Sequence, residues 1–243
     1  MKQYEAVIEA MWRNGGFATF GWLYQHVPVA EWGTKTPFAT IRRIVQDRPE
    51  FFKVKPGLWA LEEARVAVAE RFGLGPDATP QQQQYFDHTY YQGLLVETGN
   101  YHGYDTWIPA QDKNKMFLDR RLGDIATLPT FPAFTYEHVL DRARTVDVVW
   151  FNTRGYPHAC YEVEHSTGFA NSLDKYVELQ DFVIDFCVVA DAVNNRDYLS
   201  KAARASVVPI KNKVRFQSYE YTSDYHTTKA KEYALRQLLG IKP

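Results

Sequence analysis

Residues 146–167, VDVVWFNTRGYPHACYEVEHST, decide how the chain is read. Two runs rich in β-branched and aromatic residues, Val146–Asn152 and His158–His165, flank Thr153-Arg154-Gly155-Tyr156-Pro157, and this order predicts a β-hairpin. Acids stand where a strand normally buries apolar side chains. Asp147 opens the first run, and Glu162 and Glu164 lie two apart on the second, so strand alternation points both glutamates to one face. The hairpin brings that face beside Asp147. Carboxylates held a few ångströms apart repel and raise one another's pKa, so three of them need a compensating charge. A divalent cation supplies it: Mg²⁺ takes carboxylate oxygens and waters, activates one of those waters and neutralises phosphate charge. Without an ion, the same residues read as a capped turn and a solvated strand face.

The pattern Asp147…Glu162-Val163-Glu164 resembles the core of the PD-(D/E)XK, or restriction-endonuclease-like, nuclease superfamily, where an acid opening one hairpin strand precedes acid-x-lysine on the next. Two positions depart from it. Val146 stands where proline is usual, and Glu164 where lysine is usual; some restriction endonucleases with this core carry Glu-x-Glu. The resemblance implies that Asp147, Glu162 and the Val163 carbonyl bind Mg²⁺, for which Mn²⁺ can substitute. Asp147, Glu162 and Glu164 form the catalytic set, with Glu164 serving as base or as a further ligand. It also implies supporting residues by position: Glu97, near the end of the helix before the core sheet, as an extra metal ligand, and Gln180 and Lys175 on the helix after the motif, Lys175 as a displaced cation. His165, Ser166 and Thr167 at the strand end are candidates for phosphate, and His165 alternates away from the acids, which weakens it as a general base.

A chain of 243 residues with 45% hydrophobic content holds one large domain or two ordinary ones with real cores. The net charge of −1 argues against a uniformly basic DNA-coating protein, so a phosphate-binding surface must be local. Cys160 and Cys187 fall in separate apolar runs without a C-x-x-C pair, as expected of reduced, buried thiols in a cytosolic protein. No apolar segment follows Met1, and no run approaches the roughly 18 apolar residues of a spanning helix. The expected location is cytoplasmic, with no membrane contact.

Upstream, Val7, Ile8, Met11 and Trp12 predict a helix over 3–13 ended by Gly15-Gly16. Phe20–Val27 predicts a second, and Thr36-Pro37 opens a third through about Arg48 as N-cap and first-turn proline. Phe51–Lys55, Pro56-Gly57 and Leu58–Leu61 read as a hairpin. Three helices and a terminal hairpin make a winged helix-turn-helix, and residues 1–65 resemble the HARE-type domains attached to bacterial DNA-modifying and restriction proteins. In such a domain the third helix enters the major groove. Lys35, Thr36, Thr40, Arg42 and Arg43, with Lys53 and Lys55 on the wing, are the candidate DNA contacts; the alternative is a protein-interaction module with a solvated basic face.

Residues 62–77 can continue as a helix, and the Gly75–Pro80 segment marks a boundary near residue 78, with the glutamine run open as linker or helix start. Beyond it come a helix from Asp87 to about Gly99, a strand at Tyr104–Pro109, and a short basic segment, Gln111–Lys115, able to touch phosphate. A helix over Thr135–Arg144 leads into the hairpin. Then follow a helix from Asn171 or Ser172 to about Phe182, a buried strand at Phe186–Asp191, a helix at Tyr198–Ala205, a strand at Lys213–Tyr219 and a closing helix. The expected fold is α/β: an N-terminal winged helix over 1–77 and a restriction-endonuclease-like mixed-sheet α/β domain over 78–243. The expected function is a Mg²⁺-dependent endonuclease acting on duplex DNA, as a homodimer because cutting both strands needs two sites. The HARE resemblance points toward modified bases. The alternatives are a DNA-binding regulator with an inactive nuclease fold, or an RNA- or nucleotide-directed defence enzyme.

Overall fold

The apolar spacing of the N-terminus folds as expected. In the computed structural model, which describes residues 1–165 and 168–241, helix α1 (Gln3–Arg13) buries Ala6, Val7, Ala10 and Met11, while Trp12 is exposed rather than on the buried face. Strand β1 (Phe17–Thr19) precedes α2 (Phe20–His26), whose first turn is capped by the Thr19 hydroxyl accepting from the Trp22 N–H at 3.1 Å. Helix α3 (Pro37–Asp47) starts at the proline, but Thr36 makes no side-chain cap; proline's fixed φ starts the helix without it. Strands β2 (Phe51–Lys55) and β3 (Leu58–Leu61) pair antiparallel, and β1 adds to β3, giving the order β1-β3-β2. Strand β1 was not predicted, being only three residues beside two glycines.

Helix α4 (Arg65–Phe72) follows, and α5 (Pro80–His102) contains the whole glutamine run, which is therefore helix and not linker. Then come β4 (Asp105–Trp107), the two-residue strands β5 (Met116–Phe117) and β6 (Arg120–Arg121), and the short helices α6 (Leu122–Ile125) and α7 (Glu137–Ala143). The deciding hairpin is β7 (Val148–Phe151) and β8 (Pro157–Val163). In its turn the Asn152 side-chain oxygen accepts from the N–H groups of Arg154 (3.0 Å) and Tyr156 (3.1 Å), while Gly155 takes the left-handed conformation at φ 76°. Helix α8 (Phe169–Val177), strand β9 (Asp185–Ala190), helix α9 (Asn195–Ala202), strand β10 (Val214–Ser218) and helix α10 (Tyr219–Leu238) complete the chain. Helix α8 ends at Val177, short of the expected Phe182, so Gln180 lies in a turn.

The chain divides into two compact units, Met1–Phe86 with Ser223–Pro243, and Asp87–Thr222. The first buries Val7, Met11, Leu23, Phe38, Ile41, Val45 and Leu58 between its helices and small sheet. The second is built on a five-stranded mixed sheet of order β10-β9-β8-β7-β4, parallel among β8, β9 and β10 and antiparallel at β7 and β4. The fold is thus mixed α/β, as expected. Strand β9 is buried on both faces, which explains its continuous apolar run. One face packs Val149, Cys160 and Val188 on Phe169, Leu173 and Tyr176 of α8. On the other, Trp150 donates its indole N–H to the Leu95 carbonyl of α5 at 3.1 Å. A helix-interior glycine costs about 1 kcal/mol relative to alanine, yet Gly93 is required: a Cβ there would overlap the Phe117 ring. Among the described residues, no helix is long and apolar enough to cross a membrane.

Candidate functional site

The β7–β8 register pairs Val148 with Tyr161, and one step further sets Asp147 opposite Glu162 at the sheet's end. Asp147 precedes β7, and its Oδ2 accepts the Val163 N–H at 2.8 Å. Glu162, 2% exposed, is gripped from α8. The Lys175 ammonium donates to both Glu162 oxygens at 2.8 Å and to the Thr145 carbonyl at 2.8 Å. Ser172, one turn before Lys175, donates to Glu162 Oε2 at 3.2 Å and is also bonded to Glu164 Oε1. The two glutamates therefore share a face, as strand alternation requires.

Burial is the main cause that pushes all three carboxyls above the ordinary carboxylate range. At Asp147 the nearby His88 opposes the rise; at Glu162 the charge of Asp147 adds to it and Lys175 opposes it; at Glu164 the bond from Ser172 opposes it. The site is a strained cluster of like charge, relieved in part by one buried lysine.

Two residues that sequence spacing did not single out complete this corner. His88 of α5 brings Nε2 to 3.7 Å from Asp147 Oδ1. Asp112, 3% exposed, closes a short 3₁₀ turn, and one ligand atom each of His88, Asp112 and Asp147 all lie within 4.8 Å of one another. Gln92, fully buried one helical turn from His88, donates to Asp112 Oδ2 at 2.9 Å and to the Asp147 carbonyl at 2.8 Å.

Other expected residues have other partners. Glu97 is ion-paired with Arg120 and is not among the acids gathered here. Gln180 offers its backbone carbonyl to Lys213 at 2.5 Å, and the shortening of α8 removes it from the helix assigned to it. His165 sits with Nδ1 3.3 Å from the Tyr219 hydroxyl, its ring 6.4 Å from that of His88. Ser166 and Thr167 lie outside the described residues. In the basic segment, Lys115 is 2.7 Å from Asp112 Oδ1 and Lys113 bonds the Pro129 carbonyl at 2.9 Å, so both serve the fold.

In the first unit, Lys35, Thr36, Arg42, Arg43 and Lys53 are exposed, and Thr40 and Lys55 are partly buried. The Arg42 guanidinium lies 5.6 Å from the centre of the Phe20 ring and 3.9 Å from Asp224. The Thr40 hydroxyl donates to the Thr36 carbonyl at 3.2 Å.

A mixed sheet with Asp and Glu-x-Glu at the ends of two adjoining inner strands, against a buried lysine, points to the class of restriction-enzyme-related α/β domains. Sequence comparison agrees: residues 76–237 match the family model for the Type II restriction enzyme NmeDI C-terminal domain, and the chain belongs to that family. A curated relative, Type II restriction enzyme NmeDI of Neisseria meningitidis serogroup C, is 24% identical over 145 residues, 56% of this chain. The matched region is 40% of that relative's length. No solved structure gives a significant match.

Proposed function

We propose that this chain is a divalent-metal-dependent DNA endonuclease of the restriction type, with a PD-(D/E)XK-like site in the α/β unit. Lys175 is the observation that carries this reading. The Glu-x-Glu motif lacks the usual lysine, and an ammonium delivered from α8 sits on both oxygens of Glu162. Asp147, Glu162 and the Val163 carbonyl would hold Mg²⁺ or Mn²⁺, and the preponderance of carboxylate oxygen suits a hard cation. When bound, the ion activates a water and neutralises charge on the scissile phosphate. Lys175 opposes the rise that burial imposes on the Glu162 carboxyl and adds positive charge where the phosphate gains negative charge. Glu164, its pKa raised by burial, is suited to take the proton of the attacking water.

Residues 1–77, whose elements run helix, strand, two helices and hairpin, are read as a HARE-type winged helix-turn-helix, and 78–243 as the nuclease domain, with 223–241 packing beside the former. Helix α3 would enter the major groove, bringing Lys35, Thr36, Thr40, Arg42 and Arg43 to DNA, with Lys53 and Lys55 on the wing. Cutting both strands calls for a homodimer, and modified bases are the proposed mark on the target.

The test is cleavage of plasmid and phage DNAs, unmodified, methylated or hydroxymethylated, in Mg²⁺ or Mn²⁺ with EDTA as control. Discrete EDTA-sensitive fragments that disappear with Asp147→Asn are expected. Tight binding without cleavage of any substrate would instead identify a DNA-binding regulator.

A further inference from the structure

The β5–β6 hairpin carries none of the acids of the site, yet it is built out from it. The chain leaves the 3₁₀ turn that ends at Asp112, forms the hairpin, and returns at Leu122, whose N–H donates to the Lys115 carbonyl at 2.9 Å. Pairing sets Met116 opposite Arg121 and Phe117 opposite Arg120, which leaves a two-residue turn, Leu118-Asp119. Side chains alternate along a strand, so the hairpin has two unlike faces. One face is anchored. Phe117, 1% exposed, takes the place that a Cβ on Gly93 would fill and stacks on Tyr90 with ring centres 6.0 Å apart, while Arg120 is ion-paired with Glu97. Gly93 directly follows Gln92, which bonds Asp112 and Asp147, so adjoining residues of α5 hold the hairpin and the acids.

The other face is presented to solvent. Met116 is 51% exposed, Arg121 beside it is exposed, and Arg121 has no ion pair among the described residues. At the tip Leu118 takes φ 57°, a left-handed conformation that hairpin turns ordinarily give to glycine or asparagine. Leucine holds it at an energetic cost that glycine avoids, and the turn thereby carries a large apolar side chain. A turn that only joined two strands would not need one. The dimensions suit duplex DNA, whose major groove is about 12 Å wide and admits a two-stranded β-ribbon. From His88 to Glu97 helix α5 advances about 14 Å, or about four base steps of roughly 3.4 Å.

We propose that the β5–β6 hairpin enters the major groove of the substrate duplex and reads bases about four pairs from the scissile phosphate. Arg121 donates to a guanine edge, and Met116 and Leu118 pack on neighbouring bases. This rests on the nuclease reading, which supplies duplex DNA as the ligand, and it adds a reading element in the α/β unit to the one proposed for α3. Arginine suits the role because its guanidinium donates two parallel bonds to guanine O6 and N7, whereas a phosphate contact carries no sequence information.

The probe is a pool of random-sequence duplexes, from which the full chain selects its preferred sequence in EDTA and, separately, in Ca²⁺. Bound duplexes are sequenced, and affinities for the selected motif and for a scrambled duplex are read by fluorescence anisotropy. The wild type is expected to enrich a motif containing guanine. Arg121→Ala is expected to lose the preference at one position and to bind the motif at least about fivefold more weakly, with less than about twofold loss on the scrambled duplex. Arg121→Lys keeps the charge without the fork and is expected not to restore the preference. Circular dichroism melting of both variants should match the wild type, since the side chain is exposed. An unchanged motif and affinity in folded Arg121→Ala overturn the proposal. Equal loss on motif and scrambled duplexes overturns it too, because Arg121 would then contact phosphate alone, and so does a wild type that enriches no motif. Cleavage in Mg²⁺ is read separately. A chain that selects its motif through Arg121 and cuts nothing sinks the nuclease reading alone, and one whose fragment pattern survives Arg121→Ala unaltered sinks the hairpin alone.

Discussion

At the residue scale, the Glu162–Lys175 pair carries the largest consequence. Both groups are nearly excluded from water, so removing one partner strands a buried charge. Lys175→Met is expected to cost about 3–5 kcal/mol in urea unfolding, and adding Glu162→Gln to recover much of it. A Lys175→Met chain as stable as wild type would mean that Glu162 is not held ionised. The raised carboxyls also set a pH dependence. A group whose pKa is higher in the folded than in the unfolded chain stabilises the fold at low pH, and that contribution fades as pH rises through the folded value. Because burial raises Asp147, Glu162 and Glu164, metal-free protein is expected to melt at progressively lower temperature from about pH 4.5, near the unfolded carboxylate range, upward to neutrality. Asp147→Asn should flatten that decline in scanning calorimetry with EDTA; an unchanged slope would remove Asp147 as a source. Strand alternation made the three acids legible in the sequence. It could not find His88, which approaches Asp147 from α5, or Asp112, whose tie to Asp147 runs through Gln92, 20 residues from Asp112 and 55 from Asp147.

At the scale of elements, strong local signals translated directly. The bounds of β2 and β3 follow from a Pro-Gly turn between apolar runs, and the start of α3 from its proline. Strands β1, β5 and β6 escaped because two or three residues hold no readable period and exist through their pairing partners. The end of α8 was misjudged because Leu179 and Phe182 continue an apolar pattern past the last helical turn, where they still pack into the core. Arg42 and Arg43, exposed on α3, give the test at this scale. Replacing both with alanine is expected to weaken duplex binding and make the log–log salt dependence shallower by about two, one for each phosphate no longer neutralised. Unchanged affinity and slope would exclude this helix from the DNA interface.

At the scale of the molecule, the first unit is discontinuous in sequence, since residues 223–241 pack with residues 1–86. The packing is close: a Cβ on Gly21 would come within 2.8 Å of the His226 ring and 3.0 Å of Ala230. His226 and Ala230 are both buried, so deleting residues 223–243 exposes apolar surface on α2. Limited proteolysis followed by mass spectrometry is expected to find cleavage within 1–86 accelerated at least about tenfold in that truncated chain, as local opening becomes easier. Equal protection of residues 1–86 would show that the first segment is self-sufficient. The interleaving also bears on how the protein is made. The ribosome releases residues 1–86 first, yet their packing partner follows only after all of 87–222. The α/β unit has its whole sequence outside the ribosome sooner, so of the two units the one begun first is completed second.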